Sequence, residues 1–387
     1  MRNKKKATYV RNLLLNNLLF LGVLLSAGCT APDSTSLARG GRYVIHSDNG
    51  EEEAREVAAK VDGILDHYER LFGLRDEEVD QLMIFLETKD GAYEHGEYPA
   101  LYRNSTRSIH FQRMPDTMLL LHEIAHHFIR IRLHDPPVWM NEGLATYLGW
   151  SAMDSEYLSV GEIPVVHYKT LQRMSRNGEI ESFSAFCDLA PAAFYEPDHS
   201  GRNYSQAWGI VFFLFEGVFP RGLCFSEKLD RLAAMPPEEL VALEPSFRTF
   251  CREFSAVQMM KERLYSGRTL VRLSSAFRLG LLQDEAAMGA LLQVAEDRRE
   301  PPAVRVVALH AAAMIVLGTD RLSLQDRFMR SLFRIRARHE SEVDDAVKKL
   351  IGAIREGDEM KVAMLFAGLS WDGAFYPAGH LIVDERL

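Results

Sequence analysis

The period of the apolar positions changes several times along the chain, and each change marks an element. "RYVIHSD", residues 42–48, is β-branched and roughly alternating and runs into Asp48-Asn49-Gly50, a turn signal, so it predicts a strand at the start of the folded body. Residues 51–74 place Val57, Val61, Ile64, Leu65, Tyr68 and Leu71 at spacings of three and four behind an acidic first turn, which predicts a long amphipathic helix stopping near Gly73. "QLMIFLET" (81–88) reads as a buried strand and "TRSIHFQ" (106–112) as another, while the aromatic, glycine-bearing "KDGAYEHGEYPALYRN" between them is expected to be a mobile loop. From 117 to 132 the chain is apolar at Met118, Leu119, Leu121, Ile124, Ala125, Phe128 and Ile129, nearly all round a helix, as in a buried one. Pro136-Pro137 break that pattern and "VWMNEGLATYLGW" resumes it. More helices are expected between residues 183 and 264, notably "YSQAWGIVFFLFEGV" from Tyr204. Beyond residue 268, "DEAAMGALLQVAED", "PPAVRVVALHAAAMIVLG", "LQDRFMRSLFRIRA" and "EVDDAVKKLIGAIRE" form a series of amphipathic helices, HEAT-like but without a countable period.

The N-terminus does not belong to this body. Arg2, Lys4, Lys5, Lys6 and Arg11 precede an apolar stretch over residues 13–25 that is too short to span a bilayer and fits the core of an export signal. Ser26, Ala27 and Gly28 then lead into Cys29, which resembles a bacterial lipobox, with Ser26 standing where leucine is more usual. The resemblance implies that Cys29 is lipidated and becomes the new N-terminus, placing the protein at the bacterial cell envelope, in the periplasm or on the outer membrane. Removing residues 1–28 takes five positive charges with it and moves the formal charge from −9 to −14, which argues against nucleic acid as a partner. The expected organisation is a signal peptide (1–28), a flexible tether (29–41), an α+β domain (42–265) and a helical C-terminal domain (266–387). Cys187, Cys224 and Cys251 remain after lipidation, an odd number that leaves room for one disulfide without choosing the pair.

The chemistry concentrates in "LLHEIAHHFIR". Four residues advance about 400° on a helix, so His122 and His126 lie one turn apart on nearly one face and their imidazoles can converge on one ion. Glu123, beside the first of them, can reach a water near that ion without binding the ion itself. A catalytic zinc takes three protein ligands and keeps one position open. His134, Asp135 and Glu142 are the downstream candidates for the third. The metzincin pattern needs glycine at 129 and histidine at 132, and Ile129 and Arg132 exclude it.

H-E-x-x-H followed by "PVWMNEGLATY" resembles the gluzincin metallopeptidases, in particular the peptidase MA-like group of exported bacterial proteins, over about residues 42–220. The resemblance implies a gluzincin-like fold with a small mixed sheet, Zn2+ as cofactor, His122, His126 and Glu142 as its ligands, and Glu123 as general base. It also implies a tyrosine at the start of a later helix that supports the oxyanion, with Tyr204 in that place and Tyr195 and Tyr147 as weaker candidates. "SIHF" would be the strand to which an extended peptide substrate adds. Gly143, after the ligating glutamate, would let a neighbouring helix approach closely. His127 faces about 100° away from the ligand pair and is expected to pack rather than ligate, as are His110 and His134, while Asn141 and Thr146 are candidates for orienting ligands. "GAYEHGEY" lacks the amine-holding pattern of the aminopeptidase branch, and Glu94 and Glu97 are expected to be solvated loop acids. The function that follows is a zinc-dependent peptide-bond hydrolase, expected to be an endopeptidase, anchored by lipid. The alternative is a non-catalytic relative that uses the cleft and the C-terminal helices to hold an envelope partner.

Overall fold

A computed structural model describes residues 35–39, 41–87, 100–112, 114–318, 340–358 and 360–362. Residues 1–28, expected to be an export signal, Cys29, residues 89–99 with Glu94 and Glu97, and "LQDRFMRSLFRIRA" lie outside the described residues. Three thiols, Cys187, Cys224 and Cys251, are free. Among the described residues no helix is long and apolar enough to cross a membrane.

A five-stranded mixed sheet opens the chain. Its strands are β1 (Thr35–Arg39), β2 (Tyr43–Ser47), β3 (Leu82–Leu86), β4 (Ala100–Arg103) and β5 (Ser108–Phe111), in the order β1-β2-β3-β5-β4. β2, β3 and β5 run parallel to one another, and β1 and β4 pair antiparallel at the two edges. Alternation does its usual work in β2 and β3: Tyr43, Ile45, Leu82, Ile84 and Leu86 are buried under α1 (Glu51–Phe72), and the intervening residues face the other way. α1 stops where its sequence says it should, at Gly73 in the left-handed region with its N–H bonded to the Glu69 carbonyl.

Three expectations are corrected here. Residues 35–39, placed in the tether, form an edge strand, because their main chain finds a ladder partner in β2. Residues 100–103, placed in the mobile loop, form the opposite edge on β5. "SIHF" is therefore an interior strand with both edges occupied, and the outer edge on that side belongs to β4.

The rest is mostly helical. α2 (Thr117–Leu133) begins at Asp116, whose carboxylate accepts the Leu119 N–H at 2.7 Å, and it is buried over most of its circumference. α3 (Val138–Gly149) follows the proline break and turns back along α2. After a small hairpin of β6 (Ala152–Met153) and β7 (Leu158–Ser159) come α4 (Val165–Asn177), α5 (Phe183–Cys187), α6 (Pro191–Phe194) and α7 (Pro197–Phe212), the last continuing as a π-helical turn over Phe213–Val218. α8 (Phe225–Ala234), α9 (Pro237–Ala242), α10 (Glu244–Glu253) and α11 (Ala256–Arg263) lead to the C-terminal helices α12 (Thr269–Leu282), α13 (Met288–Glu296), α14 (Pro302–Leu317) and α15 (Glu340–Glu356). α14 is their hub, packing on α12, α13 and α15. One apolar core runs through the whole described chain, so the C-terminal helices are built onto the first part.

Candidate metal centre

Close helix packing at two glycines sets the site. Gly143 sits against α7 so closely that a β-carbon there would lie 2.6 Å from the Ala207 carbonyl oxygen, so α3 and α7 approach as only a residue without a side chain allows. At the far end of α3, Gly149 packs on His122 in the same manner, its would-be β-carbon 3.0 Å from the His122 Cβ. The Tyr68 hydroxyl of α1 adds a bond of 2.9 Å to the Leu121 carbonyl, fixing α2 one residue before the first histidine.

These contacts bring His122, His126 and Glu142 together. The two Nε2 atoms are 3.2 Å apart, and each lies 3.5 Å from Glu142 Oε2. A point equidistant from those three atoms in their plane is about 2 Å from each, close to the zinc–nitrogen and zinc–oxygen bond lengths. His126 and Glu142 are buried, yet Glu142 Oε2 and His126 Nδ1 have no hydrogen-bond partner among the described residues. A buried carboxylate oxygen without a donor is costly unless something else binds it. The donor set, the spacing and the orphaned oxygen all fit a divalent ion. Of the other candidates for the third ligand, neither His134 nor Asp135 belongs to this cluster.

Two buried carboxyls that feel each other's charge are tuned in opposite directions. Burial pushes Glu123 up to about 7, with Glu142 adding to the rise while His126 and the Tyr102 main-chain N–H oppose it. Burial also works to raise Glu142, but His126, His122 and the Tyr195 hydroxyl outweigh it and hold the group at about 2. Glu123 is thus the carboxyl able to exchange a proton near neutral pH, and Glu142 the one that stays ionised.

The tyrosines divide differently from the expectation. Tyr195 donates to Glu142 Oε1 at 2.6 Å. Tyr204 lies within α7, seven residues after its first, not at a helix start, with its ring 6.4 Å from that of His122. Its ionisation is pushed well above 10, by burial first and then by Glu142, Tyr195 and Glu123, so its hydroxyl keeps its proton. Tyr147 bonds to Glu216 at 2.6 Å and makes no bond to the cluster. His127 is packed as expected, with Nε2 at 2.8 Å from the Asp80 carbonyl and Nδ1 at 3.1 Å from the Tyr102 hydroxyl. His110 pairs with Glu87, and His134 caps α2. Thr146 Oγ1 is buried without a partner, and among the described residues neither it nor Asn141 bonds to a ligand side chain.

His167, at the start of α4, was not foreseen. Its Nδ1 is 3.1 Å from Ser205 Oγ, and that hydroxyl donates its proton to the Gly201 carbonyl at 2.6 Å, so the serine accepts from Nδ1–H and Nε2 carries the lone pair. Its ring stacks toward Tyr204 at 6.4 Å, and burial, with the His122 charge, lowers it to about 4. Nothing in "PVVHYK" signals this; only the packing of α4 on α7 does.

A family profile described as a protein of unknown function (DUF1570) matches residues 120–231. The match begins in α2 and ends in α8, and includes His122, Glu123, His126, Glu142, His167, Tyr195 and Tyr204. No curated protein and no solved structure matches the chain.

Proposed function

We propose that this protein is a gluzincin-type, zinc-dependent peptide-bond hydrolase held at the bacterial cell envelope by a lipid on Cys29. The observation that carries the reading is the triangle of His122 Nε2, His126 Nε2 and Glu142 Oε2, with sides of 3.2 and 3.5 Å, whose oxygen has no hydrogen-bond partner among the described residues. Two imidazoles and one carboxylate are the donor set of catalytic zinc, whereas Mg2+ and Ca2+ prefer six or more oxygens. When bound, Zn2+ supplies a Lewis acid that polarises a carbonyl and acidifies water near neutral pH.

The chain's own residues supply the rest. Glu123, buried beside the cluster, accepts a proton from water and delivers it to the leaving amine. Tyr204, kept protonated, donates toward the developing oxyanion. The outer edge of β4, whose Tyr102 main chain reaches Glu123, is the place for an extended peptide to add as a sixth strand. The stacked C-terminal helices, HEAT-like in this reading, offer a surface for a protein substrate or for the partner of a non-catalytic relative.

Metal content and cleavage separate the readings. The parent is expected to hold one zinc per chain and Glu142→Ala none. Glu123→Gln is expected to keep its zinc and lose cleavage of a peptide library by roughly 10²- to 10⁴-fold. A parent that binds zinc but cleaves no peptide, with or without chelator, supports the binding protein instead. A Glu123→Gln variant as active as the parent removes Glu123 as the base.

A further inference from the structure

We infer that Tyr195 is a positioning residue for the third metal ligand: by holding Glu142 Oε1 it leaves Oε2 alone to face the metal and so keeps one coordination position vacant. The inference rests on the metal reading above. The two oxygens of Glu142 have unlike surroundings, since Oε1 accepts the Tyr195 hydroxyl at 2.6 Å while Oε2 has no hydrogen-bond partner among the described residues and faces both imidazoles at 3.5 Å. The residue is only 4% exposed, which limits its access to water. Without the hydroxyl, Oε1 would lose its 2.6 Å donor, and the nearest remedy is rotation onto the metal, where a carboxylate readily binds through both oxygens. A two-oxygen grip fills the place that catalysis needs open.

The hydroxyl is held in position by design of the fold rather than by its own helix. Tyr195 ends the four-residue α6, with its N–H bonded to the Pro191 carbonyl at 3.0 Å. That short element is pinned from α7, where the buried Asn203 donates to the Phe194 carbonyl at 2.8 Å. The Phe194 ring is fully buried, with the rings of Tyr195 and Tyr204 each at 5.4 Å. Asn203 and Phe194 thus set where the Tyr195 oxygen stands, and α7, locked to α3 at Gly143, ties that placement to Glu142 itself.

The test uses the full chain with Zn2+ and Co2+ as probes. Zinc affinity is read by competition with a chromophoric chelator, and coordination by the visible absorption of bound Co2+, which is intense for four-coordinate and weak for five-coordinate cobalt. Tyr195→Phe removes one oxygen atom and keeps the ring. It is expected to bind one metal 10- to 100-fold more weakly, as losses of outer hydrogen bonds do, with the cobalt bands losing intensity. Asn203→Ala is expected to move both readouts the same way by less. Should Tyr195→Phe fail to fold, Asn203→Ala decides alone, and an unchanged cobalt spectrum overturns the inference. So does a Tyr195→Phe spectrum identical to the parent's, whether or not affinity falls, because a purely structural role weakens binding without changing coordination. A parent that binds zinc and cleaves nothing defeats the hydrolase reading and leaves Tyr195 to be judged by cobalt. A parent that binds neither metal overturns both.

Discussion

Two buried glutamates, one in the α2–α3 pair and one where the C-terminal helices meet the first part of the chain, show what a site looks like beside what a joint looks like. Glu142 is 4% exposed and Glu162 fully buried. Glu162 is saturated: Oε1 accepts from Ser159 Oγ at 2.7 Å and from Arg263, and Oε2 accepts from Ser274 Oγ at 2.8 Å with Arg278 at 3.4 Å. Arg278 also donates to the Ile163 and Trp150 carbonyls, tying α12 to the end of α3. Glu142 accepts the Tyr195 hydroxyl on Oε1 and, among the described residues, has no hydrogen-bond partner on Oε2. A buried charge with every lone pair occupied is finished structure; one with a lone pair aimed at two imidazoles is waiting for a ligand.

The largest expected effect sets these two against each other. Glu162→Ala leaves Arg263 and Arg278 without their shared anion and should cost about 3–5 kcal/mol, the usual penalty for breaking a buried pair, by the same amount with and without zinc. Zinc at about a thousand times its dissociation constant should stabilise the parent by about 4 kcal/mol, and Glu142→Ala should lose that increment. Thermal unfolding of the three proteins with and without zinc measures both. A Glu162→Ala protein as stable as the parent, or a zinc increment that survives Glu142→Ala, breaks the comparison.

The same contrast explains what could be read from residue order. His122 and His126 were legible because a helix fixes their relation locally, and Gly143 because close approach needs a missing side chain; its partner, α7, was not. Glu142 needed the proline break and the family resemblance, since sixteen residues of unstated path separate it from His126. The sequence favours Tyr204 over Tyr195 because nothing near Tyr195 says that α6 is hung from Asn203. β1 and β4 were misassigned as tether and loop because edge strands owe their existence to a distant ladder partner rather than to their own pattern. Glu162, Arg263 and Arg278 were invisible for the same reason, their partners being separated by about a hundred residues in sequence.

A middle-sized effect concerns acid. His167 has an ordinary value of 6.5 when unfolded and about 4 when folded. Between those values the unfolded chain binds a proton that the folded chain refuses, so stability is fully present above pH 6.5 and falls as the pH drops toward 4. The shift corresponds to roughly 3 kcal/mol. Urea unfolding of the parent at pH 7, 6, 5 and 4 should therefore decline more steeply than that of His167→Gln, which keeps a hydrogen-bonding side chain but cannot charge. Parallel curves would show that His167 contributes nothing to acid sensitivity, and that the cleft is no harder to charge than the surface.

The smallest effect separates the two regions by their glycines. Gly143 faces the Ala207 carbonyl, and Gly280 in α12 faces Ala311 in α14, where an added β-carbon would lie 2.8 Å from the Ala311 Cα. Alanine at either place gains about 0.5–1 kcal/mol of helix preference over glycine but forces two backbones apart at about 1–3 kcal/mol, so each variant should be destabilised by roughly 1 kcal/mol. Only at Gly143 does the displaced backbone carry Glu142, the proposed third ligand, one residue away, together with the helix that positions Tyr195 and Tyr204. Gly143→Ala should therefore weaken zinc binding as well as stability, whereas Gly280→Ala should lower the unfolding temperature by a similar amount and leave zinc affinity unchanged. Equal loss of affinity in both would mean that the α12–α14 contact reaches the centre through Arg278, Trp150 and Gly149, and that the saturated joint and the unsaturated site are one mechanical unit.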